Sequence, residues 1–284
     1  FNGKKKLTVG AYLQSWLETY AKTNCTAKTV QGYRQSINCY TRPIAGITLQ
    51  KLDATHIQPI YAGMIKRGLS NRSVDALHKA LNIALNTAVK QGTLKRNILD
   101  SVIAPKVAKK EVEVWDAETR ANAMTVLRES QYGDFYQLGL MTGMRRGELA
   151  GLKWANVNLD NQQLQVVNTL QRITGQGLMN GQPKTERSRR SIALSADTVA
   201  LLHKIRGRQI TQKLEVSDAW TDSGYVFTDA SGMPVDPNLA TRAFKKVVAT
   251  AGLPKLTIHG LRHTHATILL EQGVNPKVVS ERLG

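Results

Sequence analysis

The sequence predicts a mainly α-helical protein with a small β component. Apolar residues recur every three to four positions through the first 100 residues, which is the period of an amphipathic helix. Strand-like segments are confined to Gln163–Thr169 and Ser188–Leu194, separated by a Gly-rich turn (Gly175, Gly177, Gly181). Strands and helices do not alternate along the chain, so the pattern disfavours a doubly wound parallel sheet.

A helical domain is predicted over residues 1–104, as a bundle of four short helices. Asp53 is placed to cap the third helix and Ser70 or Asn71 the fourth, because such side chains accept hydrogen bonds from the free N–H groups of a first turn. Pro43 ends the second helix, since proline has no backbone N–H group. The residues predicted to face inward are Tyr12, Leu13, Trp16, Leu17 and Tyr20; Val30, Tyr33, Ile37 and Tyr40; Ile57, Ile60, Tyr61 and Met64; and Val74, Leu77, Leu81 and Leu85.

A basic, proline-containing linker over residues 105–111 is predicted to lead into a second domain, residues 112–284, of mixed α and β structure. Asp116 is expected to cap a helix that ends near Glu129, and an apolar stretch then runs from Phe135 to Leu152. After the strand-like segments, helices are predicted around 196–214, 236–250, 259–271 and 275–284.

The charge of the chain indicates a polyanionic partner. The sequence has 39 Lys and Arg against 21 Asp and Glu, a net charge of +18, and residues 1–110 carry +14 of it. Nucleic acid is favoured over a membrane because no apolar run approaches the ~18 residues of a membrane span. A basic surface that serves only solubility is the alternative. Phosphate contacts are expected from Lys4, Lys5, Lys6, Arg72 and Lys79.

The segment Thr142–Leu149 (TGMRRGEL) places two arginines at a glycine-flanked helix junction inside the apolar stretch. A guanidinium such as that of Arg145 can donate two hydrogen bonds to phosphate oxygens. Glu148, three residues later on a helix, can orient that guanidinium. An ordinary ion pair at a surface helix end would give the same pattern.

Lys184–Arg190 (KTERSRR) has four basic residues in seven, just before the strand that ends at Leu194. The two strand-like segments are expected to form a hairpin, and a lysine at its tip or edge can protonate a leaving group. A charged edge strand that is merely protected against pairing would look the same.

The segment His259–His265 (HGLRHTH) combines titratable and cationic side chains at the start of a predicted helix. His259 and Arg262 share a helical face, and a helix N-terminus favours anions. His259 and His263 also have the i,i+4 spacing of a zinc site, but a zinc-protease helix has Glu where this chain has Gly260. His263 and His265 are therefore predicted to pack or to form hydrogen bonds.

Taken in order, four motifs closely resemble the tyrosine recombinase (phage integrase) family. They are TGMRRGEL from Thr142, KTERSRR from Lys184, HGLRHTHA from His259 and VSERLG from Val279. The helical segment before them, which includes LSNRSV from Leu69, is similar to the core-binding domain of that family. The resemblance covers nearly the whole chain and is nearest to integrases of phages and conjugative transposons.

The resemblance implies a helical core-binding domain, a mixed α/β tyrosine-recombinase catalytic domain and a set of site residues. The matched positions are the first catalytic arginine (Arg145), the supporting acid (Glu148), the β-hairpin lysine (Lys184) and the H-x-x-R pair (His259 and Arg262). The family's next active-site histidine and its tyrosine nucleophile are expected beyond Gly284. The chain is thus interpreted as a fragment that is inactive by itself.

The implied activity is cleavage and rejoining of duplex DNA through a 3′-phosphotyrosyl intermediate, which integrates or excises a mobile element. The implied partners are double-stranded DNA with attachment sites, further copies of the chain in a dimer to tetramer, and an accessory DNA-bending or excision factor. No cofactor, metal or membrane partner is expected, and the expected compartment is the nucleoid of a bacterial cytoplasm. A non-catalytic DNA-binding protein of the same fold and a type IB topoisomerase are the alternatives.

Overall fold

The computed structural model describes residues 6–108, 113–181 and 188–284. Its internal contacts divide the chain into two compact units, Phe1–Lys110 and Glu111–Gly284. The described parts are mainly helical and contain two small sheets, which confirms the predicted fold class. Within those ranges, none of the helices combines the length and the apolar character needed to cross a membrane.

The helices of the first unit begin at residues whose side chains accept hydrogen bonds from the first turn. Thr8, Thr26, Asp53 and Ser70 fill this role, and the last two confirm the predicted caps. The helices are α1 (Val9–Trp16), a π-helical turn (Leu17–Ala21), α2 (Lys22–Asn24), α3 (Ala27–Tyr40), α4 (Ala54–Lys66) and α5 (Asn71–Lys90). Short 3-10 turns cover Arg42–Ile44, Leu49–Lys51 and Ile98–Ser101.

The core of the first unit includes polar contacts between α1 and α5. The Tyr12 hydroxyl donates to the carbonyl of Ala84 at 2.7 Å. Of the residues predicted to face inward, Tyr20 is the exception, with 37% of its surface exposed. The π-helical turn that contains it changes the helical period, so Tyr20 turns outward and stacks on Trp16.

The second unit begins with three helices, α6 (Ala117–Arg128), α7 (Gly133–Thr142) and α8 (Arg146–Ala150). Asp116 caps α6 as predicted, accepting from the backbone N–H of Thr119 at 2.8 Å. α7 contacts α6 and lies in the core, where the Tyr136 hydroxyl donates to the carbonyl of Ala240 at 2.8 Å. The long apolar stretch of the sequence is therefore two helices joined by a tight turn.

Five strands follow, in two antiparallel sheets within the described residues. One sheet has the order β1-β2-β5, formed by β1 (Val157–Asn158), β2 (Gln163–Val166) and β5 (Arg190–Ala193). The other is a hairpin of β3 (Thr169–Ile173) and β4 (Gly177–Gly181).

The hairpin corrects two expectations from the sequence. The strand predicted over Gln163–Thr169 ends at Val166, and the Gly-rich segment is itself part of a sheet. Gly175 and Gly177 have φ values of 80° and 81°, which permit the tight turn, so that Gly181 pairs with Thr169.

Helix α8 lies directly against β3. A Cβ atom on Gly151 would lie 2.9 Å from the backbone nitrogen of Leu170, and one on Gly147 would lie 3.2 Å from the oxygen of the same residue. Glycine at both positions, one helical turn apart, lets the two backbones approach. This contact fixes α8 on the sheet.

The chain ends in four helices, as predicted: α9 (Ala196–Val216), α10 (Pro237–Thr250), α11 (Ile258–Glu271) and α12 (Pro276–Leu283). α7 contacts both α9 and α11. Aromatic rings fill the centre, with Phe244 of α10 and Phe227 packed edge-to-face on Tyr136 and Phe135 respectively.

Candidate active site

The glycine-flanked arginine segment forms the junction of α7 and α8. α7 ends at Thr142, and Gly143 adopts a left-handed backbone conformation with φ of 65°. A Cβ atom here would lie 2.6 Å from Cδ2 of His265 and 2.6 Å from Cδ2 of Leu283. Both the backbone conformation and the lack of space therefore require glycine. The turn places Arg145 at the start of α8.

Arg145 and Glu148 form a reciprocal pair in the first turn of α8. The backbone N–H of Arg145 donates to Oε2 of Glu148, and its Nη1 donates to Oε1, both at 2.9 Å. The side chain of Glu148 is 1% exposed and that of Arg145 is 39% exposed. The ion pair indicated by the sequence spacing is present, and the guanidinium keeps an open side.

α11 brings Arg262 and His259 to the same site. Arg262 is buried and donates from Nη1 to the carbonyl of Gly143 at 3.0 Å. His259 is exposed in the first turn of α11, and its ring meets that of His263 edge-to-face with centroids 4.7 Å apart. No group of three potential His, Cys, Asp or Glu metal ligands occurs in the described ranges.

Arg145 and Arg262 converge on one acceptor atom. Nη2 of Arg145 donates to the main-chain oxygen of Gly284, the last residue of the sequence, at 2.6 Å, and Nη2 of Arg262 donates to the same oxygen at 3.2 Å. Guanidinium groups from α8 and α11 can therefore contact a single oxygen atom together. Such an arrangement suits an anion that carries several oxygens.

Positive charge exceeds negative charge around this point. Burial and the charges of Arg145 and Arg190 lower the pKa of Arg262 to about 10, although the negative charge of Glu148 acts in the opposite direction. Partial burial, followed by the charges of neighbouring cations, lowers the pKa of His259. Arg262 therefore stays charged at neutral pH, while His259 is mainly neutral there. An anion in the site would offset the repulsion among the cations.

A second layer of arginines lies behind this pair. Arg190 is nearly buried and donates from Nη2 to Oε2 of Glu148 at 2.8 Å and from Nε to the carbonyl of Arg282 at 2.7 Å. Arg282 in turn donates to Nε2 of His265 at 3.2 Å and to the carbonyl of Ala193 at 3.1 Å. Burial lowers the pKa of His265 to about 4, so this ring is the neutral acceptor that the sequence indicates. α12 and β5 are thereby linked to Glu148.

The structure separates the two adjacent arginines of the motif. Arg145 faces the site, whereas Nη1 of Arg146 donates to the Thr241 hydroxyl on α10 at 2.9 Å. Lys184 lies outside the described residues, so its assignment rests on the motif alone.

The candidate phosphate contacts belong to the first unit. Lys4 and Lys5 lie outside the described residues, while Lys6, Arg72 and Lys79 are exposed. Arg72 is in the first turn of α5. Lys79 pairs with Asp75 at 2.7 Å, which partly neutralises it.

The sequence did not identify Arg190 and Arg282 as site residues, although both belong to the motifs. Arg190 is 42 residues from Glu148, and Arg282 is 92 residues from Arg190, so spacing could not place them together. One signal was available for Arg190. Residues alternate in a strand, and Arg190 lies on the same face of β5 as the buried Ile192.

A comparison with protein families identifies the chain. The model described as "Phage integrase family" matches residues 118–284. The chain belongs to the phage integrase family. The resemblance predicted from the four motifs is thereby confirmed.

Relatives of this integrase-family chain extend over both units. A XerC-like tyrosine recombinase of Caldanaerobacter subterraneus subsp. tengcongensis is 27% identical over 297 residues, which cover 98% of this chain and 76% of the relative. The Tn1549 transposon integrase, solved with transposon right end DNA, has a TM-score of 0.81 at 20% identity, covering 98% of this chain and 91% of that one. A lambda integrase tetramer bound to a Holliday junction has a TM-score of 0.73 at 18% identity, with coverage of 99% and 75%. The two structures show that the fold is shared.

Proposed function

We propose that this member of the phage integrase family is a site-specific DNA recombinase. It would cleave and rejoin duplex DNA through a 3′-phosphotyrosyl intermediate, and so integrate or excise a mobile element. The observation that carries the proposal is the convergence of Arg145 and Arg262 on one oxygen atom. The names of the relatives, a tyrosine recombinase and a transposon integrase, support the same activity.

The two arginines would bind the scissile phosphate. When a nucleophile attacks phosphorus, negative charge increases on the non-bridging oxygens. Donors already directed at those oxygens stabilise the transition state more than the ground state. Losing one such contact is expected to cost about 3 kcal/mol, or roughly 10²–10³ in rate, by analogy with an oxyanion hole. Glu148 would support the clamp by orienting Arg145.

Lys184 and His259 are proposed to take part in proton transfer and in binding the phosphate. Lys184 would protonate the leaving 5′-oxygen, which prevents immediate religation and completes the exchange of one ester for another. His259, mainly neutral at pH 7 because its pKa is lowered, offers one N–H donor and one acceptor nitrogen. It would donate to the phosphate or carry a proton.

Duplex DNA is the proposed partner, and the first unit supplies most of the charge that would bind it. Residues 1–110 carry a net charge of +14. Arg72 lies where the N-terminus of α5 also favours a phosphate group. Strand exchange requires two duplexes, so we propose assembly into a dimer to tetramer on DNA. The lambda integrase tetramer on a Holliday junction supports this stoichiometry.

The test begins by selecting binding sites from a pool of random duplexes and then measures strand exchange between two marked duplexes that carry them. The complete gene product is used, so that a tyrosine nucleophile is available to the reaction. Arg145→Lys should abolish exchange and retain DNA binding, since an ammonium group cannot supply the two-pronged contact. Arg146→Lys is the matched control, because Arg146 contacts Thr241 and does not face the site.

Three results would contradict the proposal. DNA binding with no cleavage would favour the non-catalytic DNA-binding protein. Relaxation of supercoiled DNA without exchange would favour a type IB topoisomerase. Normal strand exchange by Arg145→Lys would contradict the assignment of Arg145 to the scissile phosphate.

A further inference from the structure

We propose that Arg190 is a positioning residue, which fixes the direction of the Arg145 guanidinium by holding the Glu148 carboxylate. The inference rests on the proposed function, in which Arg145 and Arg262 bind a phosphate. It assigns a role in the site to a residue of β5, outside the four catalytic candidates.

The hydrogen bonds of Arg190 show that it acts through other residues. Nη2 donates to Glu148 at 2.8 Å, Nε donates to the carbonyl of Arg282 at 2.7 Å, and Nη1 donates to the carbonyl of Ser188 at 3.1 Å. Each of its three nitrogens therefore has an acceptor within the protein. Its side chain is 6% exposed. Arg190 is thus held within the protein through all three of its nitrogens.

Glu148 transmits the effect because its carboxylate is shared between two arginines. Oε1 accepts from Nη1 of Arg145, and Oε2 accepts from Nη2 of Arg190 and from the backbone N–H of Arg145. A planar carboxylate held at both oxygens has one orientation, and it presents Oε1 to the Arg145 side chain in that orientation. Burial raises the pKa of Glu148, but the hydrogen bonds from the two arginines outweigh it, so the carboxylate stays charged.

Arg145 and Arg262 depend on this support unequally. The Arg145 side chain is 39% exposed, and within the described residues it donates to Glu148 and to the oxygen of Gly284. Arg262 is buried and is held separately by the carbonyl of Gly143. Loss of Arg190 should therefore misdirect Arg145 and leave Arg262 in place.

The experiment uses the complete gene product and inorganic phosphate as the probe. Phosphate is titrated at constant ionic strength while the Nε–Hε signals of the arginines are followed by NMR. The signals are assigned with Arg145→Lys and Arg262→Lys. In the unmodified chain both signals should shift with a common midpoint. In Arg190→Met the Arg145 signal should lose its response and phosphate should bind about tenfold more weakly, as expected for one lost charge-assisted hydrogen bond.

A double-mutant cycle distinguishes positioning from a general effect on folding. Glu148→Gln should weaken phosphate binding about as much as Arg190→Met. The double variant should bind phosphate no more weakly than either single variant, because both changes break the same series of contacts from Arg190 through Glu148 to Arg145. Arg208→Met is the matched control. It also removes an arginine paired with a largely buried carboxylate, Asp134, and should leave both signals responsive.

The outcomes separate the two proposals. Absence of a phosphate response at Arg145 and Arg262 in the unmodified chain would contradict the proposed function itself. A normal response in Arg190→Met, or weakening that multiplies in the double variant, would overturn the positioning role alone. If Arg190→Met fails to fold, Arg190→Lys replaces it with the same expectation, because the single nitrogen of an ammonium group cannot occupy the positions from which three guanidinium nitrogens bond Glu148, Arg282 and Ser188.

Discussion

Gly143→Ala is expected to destabilise the second unit by about 2–5 kcal/mol. About 1–2 kcal/mol comes from the left-handed backbone, where φ is 65° and a Cβ atom is unfavourable. About 1–3 kcal/mol comes from overpacking, since the new methyl group would lie 2.6 Å from atoms of His265 and Leu283. Leu283 can move the end of its side chain. The His265 ring cannot, because it is hydrogen-bonded to Arg282 and to the backbone of Leu140.

Gly252→Ala provides a matched control in the same unit. Gly252 has φ of 64°, and no atom lies within 4 Å of the Cβ that alanine would add. The backbone strain should therefore be equal in the two variants, at about 1–2 kcal/mol. Alanine also restricts the unfolded chain more than glycine does, which offsets part of the destabilisation by the same amount in both variants. The difference in unfolding free energy between the two variants therefore measures the cost of the steric clash at position 143.

The measurement is urea unfolding followed by tryptophan fluorescence in a Trp16→Phe background. The remaining tryptophans, Trp115, Trp154 and Trp220, all belong to the second unit, so the signal reports on that unit. Gly143→Ala should lower the unfolding free energy by about 1–3 kcal/mol more than Gly252→Ala does. Equal losses would refute the packing of Gly143 against the His265 ring.

Three further predictions concern pH, salt and covalent chemistry. The second unit should lose up to about 3 kcal/mol of stability as pH falls from about 6.5 to about 4, because His265 is neutral in the folded protein but binds a proton when unfolded. His265→Gln should flatten the plot of the urea unfolding midpoint against pH over this range, and an unchanged plot would contradict the assignment. Arg72→Gln should reduce the slope of log K for DNA binding against log salt concentration by about 1. Lys79→Gln should reduce the slope by less, because Lys79 is paired with Asp75, and equal reductions would contradict this role of the ion pair. The 284-residue chain should bind duplex DNA but form no covalent adduct on a nicked suicide substrate. In the second unit the hydroxyls of Tyr136 and Tyr225 donate to Ala240 and Asn180, and Tyr132 packs against the core; an adduct on denaturing electrophoresis would contradict the motif assignment.

Local features of the fold could be predicted from the sequence. Asp53, Ser70 and Asp116 cap the helices they were expected to cap, because a cap is a contact between residues two or three positions apart. The periodicity of apolar residues located the long helices for the same reason, since one helical face is defined by neighbours along the chain. The order of the four motifs was enough to indicate the family.

The sequence analysis missed features in which the chain departs from the regular spacing of an α-helix or a β-strand. Tyr20 was assigned to the core because its spacing fits an α-helix, but a π-helical turn at Leu17–Ala21 changes the period. The hairpin of β3 and β4 was missed although a glycine turn, which is a common hairpin connection, lies between its two strands. Neither segment shows a strong alternation of buried and exposed residues.

The sequence by itself determined the fold class, the excess of positive charge and the residue types available to the site. Residue chemistry alone could not distinguish Arg145 from Arg146, which are adjacent and chemically identical, and only the family motif selected Arg145. Only the tertiary structure decided that Arg145 shares an oxygen with Arg262 and that Arg190 holds Glu148. These contacts join residues 22 to 139 positions apart, and they depend on how helices and strands pack. Spacing along a chain specifies neighbours within one element, whereas the site is formed where several elements meet.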